Sequence, residues 1–122
     1  MSAFDMDVIR DFLRGAVRLH VLHHAALGAV SGAWMSEELR RHGHRISPGT
    51  LYPLLHDLEH QGLLVSSQRT EGGRVLRYYE ATDAGRRVLA EARTALAELA
   101  GELLPDHQPR PRGPRGRDRA GG

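Results

Sequence analysis

No cysteine occurs in the 122 residues, which excludes disulfides and thiolate metal sites. Lysine is absent too, so all 17 basic residues are arginines. No apolar run approaches the ~20 residues needed to span a bilayer. The opening Met-Ser-Ala-Phe-Asp-Met-Asp is acidic and lacks the basic-then-apolar layout of a signal peptide. The chain carries no recognisable nucleophile motif, phosphate loop or zinc-hydrolase motif. The expectation is a soluble cytoplasmic protein with no membrane partner and no cofactor, and not an enzyme.

What is present suits one small domain with appendages. Hydrophobic residues make up 40% of the chain, enough for a small core. The formal net charge of +2 is unevenly placed. Residues 105–122 hold five arginines against Asp106 and Asp118, which leaves residues 1–104 slightly negative. Net charge therefore does not advertise a nucleic-acid binder, and any DNA-facing basic surface must be local.

Helical spacing runs from Asp5 or Asp7 through Val8, Ile9, Phe12, Leu13, Ala16, Val17, Val21 and Leu22 to about Leu27. The apolar arc is wide enough to be covered on more than one side. Gly28 and Ser31-Gly32 interrupt it. A second helix is expected from Ala33 to His42, with Met35 and Leu39 inward and Gly43 as its stop. After the short turn Gly43-His44-Arg45-Ile46, Ser47 and Pro48 open a third helix that ends at Gly62. Leu63 to Ser67 reads as a strand, Arg69 to Gly73 as a turn, and Arg74 to Ala81 as the return strand. One of Tyr78 and Tyr79 should be core, since neighbours point to opposite faces. Thr82 caps a last helix from Asp83 to Leu103, and Pro105 ends it. The Arg/Pro/Gly-rich tail should be disordered. The fold class is mainly α with a small β-hairpin: a winged helix-turn-helix over residues 1–82, a long C-terminal dimerisation helix over 83–104, and a tail over 105–122.

The third helix carries the most information. Leu51, Leu54, Leu55 and Leu58 make one buried stripe, while Pro53 is expected to kink the helix. Its other side offers Ser47, Thr50, Tyr52 and His56. Small hydroxyls at a helix N-terminus suit phosphates and base edges. Tyr52 has two readings, DNA contact or packing beneath the helix. In the hairpin, Arg69, Arg74 and Arg77 flank the glycines at its tip. Gly73 allows close backbone approach, and Arg74 beside it suits a narrow minor groove. A solvated hairpin is the plainer alternative.

The last helix places Leu89, Ala92, Leu96, Leu99 and Leu103 at alternating spacings of three and four, a coiled-coil seam for dimerisation. The alternative is packing on the chain's own first helix. His20/His24 and His56/His60 are pairs with metal-ligand spacing. The first has no obvious carboxylate companion and the second only Glu59, so no metal site is assigned. Trp34, the single tryptophan, either fills the core or lines an aromatic ligand pocket.

Several segments together resemble the PadR family of bacterial transcriptional regulators. They are Glu37-Glu38-Leu39; Ser47-Pro48-Gly49-Thr50-Leu51-Tyr52-Pro53-Leu54-Leu55; Leu58-Glu59 with Gly62-Leu63-Leu64; Gly72-Gly73-Arg74; and Arg77-Tyr78-Tyr79 leading to Thr82-Asp83-Ala84-Gly85. The likeness covers roughly residues 14–100. Where relatives commonly carry Gly-Tyr-Glu before the second helix, this chain has Gly32-Ala33-Trp34-Met35. The resemblance implies a homodimeric repressor that binds double-stranded DNA at an inverted-repeat operator. It also implies a response to a small effector, often aromatic or toxic. The competing expectation is a winged-helix module used only for protein contacts.

Overall fold

A computed structural model describes residues 3–105. The elements run α1 (Ala3–Leu27), β1 (Val30–Ser31), α2 (Gly32–Arg41), α3 (Pro48–His60), β2 (Leu64–Glu71), β3 (Arg74–Ala81) and α4 (Asp83–Leu103). The strands form one antiparallel sheet in the order β1-β3-β2. The chain divides into two compact units, Met1–Ala90 and Glu91–Gly122. The winged unit thus extends past residue 82 and takes in the first turns of α4. Of the tail expected to be disordered, residues 106–122 lie outside the described residues.

Local signals set the helix ends. Ser31 is extended and its hydroxyl accepts the Trp34 N–H at 3.0 Å, which starts α2. At the other end Gly43 donates to the Arg40 carbonyl at 3.0 Å and His44 to Leu39 at 2.9 Å, a Schellman motif. The same arrangement closes α3, where Gly62 donates to Glu59 and Leu63 to Leu58, each at 2.9 Å. The start of α3 is different. Ser47 has N-cap backbone geometry, but its side chain makes no cap hydrogen bond. A missing cap forgoes about 1 kcal/mol, and Pro53 in a helix interior costs about 3 kcal/mol. Burying Leu51, Leu54, Leu55 and Leu58 returns about 1.5–3 kcal/mol each. Packing therefore holds α3 together, and the helix runs unbroken through Pro53.

These leucines join Val17, Val21, Leu22 and Ala25 of α1, Met35 and Leu39 of α2, and Leu64, Tyr79 and Ala81 of the sheet in one core. Ile46, from the turn between α2 and α3, packs against it. Tyr79 is the core tyrosine. Several expectations are corrected. Leu89, assigned to the dimer seam, is 6% exposed and sits in the chain's own core, because the first turns of α4 pack within the winged unit. The first helix is covered only along its second half; Ile9, Phe12 and Leu13 are exposed. Trp34 is 44% exposed and does not fill the core. The sheet gains a third strand, β1, pairing Val30 with Tyr79 and Ser31 with Tyr78.

The junction of α3, β2 and α4 is tight. The Thr82 hydroxyl donates to the Gly62 carbonyl at 2.6 Å and accepts the Gly85 N–H at 3.0 Å. The Thr82 N–H donates to the Leu63 carbonyl at 3.1 Å. A Cβ on Gly85 would overlap that same carbonyl oxygen. In most helices Gly→Ala stabilises by about 0.5–1 kcal/mol. Here Gly85→Ala meets backbone that is itself hydrogen-bonded, so the sign should reverse, with a loss of about 1–3 kcal/mol. Urea denaturation measures this, and an unchanged or raised midpoint would contradict the packing.

Candidate nucleic-acid interface

Burying the leucine face of α3 turns its other face outward. Ser47, Thr50, Tyr52 and His56 are all exposed. The Ser47 hydroxyl donates to the Thr50 hydroxyl at 3.3 Å, so the two oxygens sit together at the start of the helix. The Ser47 carbonyl accepts the Thr50 and Leu51 N–H groups at 3.0 and 2.8 Å. Pro48 has no N–H, which leaves Gly49 with the first-turn donor that has no partner among the described residues. Tyr52 is both packed and partly open to solvent. A Cβ on Gly32 would lie 2.7 Å from its ring, so the ring packs on the start of α2. The residue is nevertheless 37% exposed.

The wing is longer than expected. β2 and β3 stay paired from Leu64–Ala81 to Glu71–Arg74, so the turn is only Gly72-Gly73. Both glycines have positive φ, 58° and 78°. That two-residue geometry matches strand twist and lets the ladder continue to the tip. The three wing arginines differ. Arg74 is exposed beside the tip, with no ion pair or side-chain hydrogen bond among the described residues. The Arg69 guanidinium lies over the Tyr78 ring, 4.2 Å from its centroid. The Tyr78 hydroxyl donates to Glu71 Oε2 at 2.6 Å, and this bond to a carboxylate raises its pKa above the usual phenol value. Arg77 Nη1 donates to Ser66 Oγ at 2.9 Å, and that hydroxyl donates to Glu59 Oε2 at 2.7 Å. Arg77 is thereby committed to joining the wing to α3. A second tie fixes α3 to α1, where Asp57 Oδ2 accepts from Arg18 Nη2 at 3.0 Å.

Sequence pattern alone did not single out two further arginines. Arg45, just before α3, and Arg14 on α1 are exposed and line one cleft of about 620 Å³ that also reaches Thr50. Val17, Ile46 and Leu54 form apolar parts of its wall. Arg45 lies in an irregular turn and Arg14 on the exposed first half of α1, so no periodicity marks them; folding brings both to one cleft beside the start of α3. The remaining seam residues lie in the second unit. Ala92 is partly buried there, and Leu96, Leu99 and Leu103 are exposed.

A helix presented by two supporting helices, with an arginine-bearing wing beside it, defines a winged helix-turn-helix protein. Residues 21–91 match the model of the transcriptional regulator PadR-like family. The chain is 62% identical over 96 residues to the transcriptional regulator Rv3488 of Mycobacterium tuberculosis, covering 79% of this chain and 90% of that one. A PadR family regulator from Eggerthella lenta is 34% identical with a TM-score of 0.68, over 83% of this chain and 92% of that one. A PadR-like regulator from Bacillus cereus shares the fold at 24% identity, with a TM-score of 0.72 over 82% and 99%. The chain belongs to the PadR-like family of transcriptional regulators. Among the described residues, no helix is long and apolar enough to cross a membrane.

Proposed function

We propose that the chain is a DNA-binding repressor that acts as a homodimer on an inverted-repeat operator, and that an effector relieves its repression. The observation that carries the DNA reading is the split of α3 into a buried leucine face and an open hydroxyl-bearing face. Thr50, Tyr52 and His56 are the base-reading side chains. Ser47, the Gly49 N–H, Arg45 and Arg14 take phosphates, which position the helix without carrying sequence information. Arg74 enters the minor groove beside the wing tip, where Gly73 lets the backbone come close. Arg69 and Arg77 support the wing, since their guanidinium groups already have partners. The effector is the least constrained part of this reading. The resemblance points to a small aromatic or toxic molecule, and Trp34 offers an exposed aromatic surface.

Dimerisation uses Leu96, Leu99 and Leu103 with Ala92, without Leu89. In the winged unit, Ile9, Phe12 and Leu13 add exposed apolar surface. Exposed large apolar side chains recurring along one helix suit an interface.

Two substitutions separate reading from positioning. Thr50→Ala should weaken operator binding by about 1–3 kcal/mol while random-DNA binding and stability change little. Arg74→Ala should weaken binding to both DNAs and lower the salt slope by about 1. Anisotropy titrations against the DNA upstream of the chain's own gene, at several salt concentrations, measure both. Unchanged discrimination in Thr50→Ala together with an unchanged slope in Arg74→Ala would take the reader role away from α3 and the wing.

The dimer is tested separately. The chain should run as a dimer at micromolar concentration, and Leu96→Glu with Leu99→Glu should yield monomers or aggregates by light scattering. A stable monomer of the unmodified chain would contradict the seam.

A further inference from the structure

Four histidines and a glutamate converge where α1 meets α2. His20 and His24 are one turn apart on α1, and their rings stack at 5.1 Å with planes 14° apart. His42 at the C-cap of α2 brings a third ring within 4.7 Å of His20 and 6.1 Å of His24. One ligand atom from each of the three lies within 4.8 Å of the others. Glu38, one turn before His42, is buried. Its Oε2 lies 2.9 Å from His42 Nε2 and 3.6 Å from His24 Nε2. This is the carboxylate companion that sequence spacing did not supply. Two outer contacts brace the group. His44 Nε2 lies 3.0 Å from His20 Nδ1, and Arg41 Nη1 donates to Glu38 Oε1 at 2.8 Å.

As a purely structural cluster this arrangement is poorly satisfied. His24 Nε2 is buried with no hydrogen-bond partner. An unsatisfied buried polar atom is costly, so something should answer it. A charge on His20 would face the other imidazoles, while at His24 the Glu38 carboxylate opposes that effect. Burial, followed by the neighbouring imidazoles, holds His20 and His24 below the usual histidine pKa. A metal takes the neutral form of the imidazole.

We propose that His20, His24, His42 and Glu38 form a binding site for a divalent metal ion of the zinc class. Three imidazole nitrogens and one carboxylate oxygen suit a borderline-soft cation that accepts tetrahedral geometry. Magnesium and calcium prefer all-oxygen shells. A zinc–nitrogen bond is about 2.0–2.1 Å, so the donors must draw together from their present spacing. His42 has the freedom to do so, since its side chain is 47% exposed. With His20 Nδ1 held by His44, its Nε2 is left to ligate. Arg41 and His44 orient ligands in the way outer-shell partners do. The ion would join α1 to the end of α2, next to the turn that leads into α3.

The test uses the full chain stripped with chelator and titrated with Zn²⁺ or Co²⁺. The expected result is one ion per chain, a Co²⁺ visible spectrum of tetrahedral intensity, and a higher melting temperature with Zn²⁺. His24→Ala and His42→Ala should each lower zinc affinity more than about tenfold, at least the loss that follows removal of an outer-shell partner. His60→Ala, which breaks the other histidine pair, should leave affinity unchanged. If His24→Ala fails to fold, His42→Ala decides, because His42 is half-exposed at a helix end. Absence of stoichiometric binding, or affinity that survives His42→Ala, or affinity lost in His60→Ala, would overturn the site.

Discussion

Burial of the leucine face of α3 is the constraint on which the rest of the molecule depends. Leu51, Leu54, Leu55 and Leu58 can leave water only against α1, α2 and the sheet. Once they do, the rotation of the helix about its axis is settled, and Ser47, Thr50 and His56 must face out. The weak start of α3 follows from the same balance. Its packing is strong enough to tolerate an uncapped N-terminus and an interior proline. The hydroxyls of Ser47 and Thr50 and the Gly49 N–H are then left available to a ligand.

The wing shows a second use of committed and uncommitted groups. Arg77, through Ser66 and Glu59, and Arg18, through Asp57, spend their charge on fixing α3 to the wing and to α1. Arg74 has no such partner among the described residues, so its charge is available to an outside partner. On the proposed reading, α3 and a wing already tied together by these bonds meet adjacent grooves with little ordering cost at the moment of binding.

Much of this was legible in the sequence. Helical spacing marked the leucine stripe, and Gly43 and Gly62 marked the helix ends, because these signals are local. Other features depend on contacts between distant residues and were not legible. The strand Val30–Ser31 is two residues long, too short for any period to show. The heptad spacing of α4 could not tell the chain's own core from a partner, and Leu89 went to the core. The wing was read too short because a Gly-Gly turn permits pairing up to the tip. Glu38 is fourteen residues from His24, and only the packing of α2 on α1 brings them together.

The central claim is that the open face of α3 and the wing tip meet DNA. Amide chemical-shift mapping on the labelled chain, titrated with a duplex from upstream of its own gene, tests it most directly. The account predicts that the largest changes fall at residues 45–52 and at the wing tip around Gly73 and Arg74, with the leucine core following only weakly. Changes confined to the first half of α1 or to α4, with residues 45–52 and the wing tip unmoved, would contradict it.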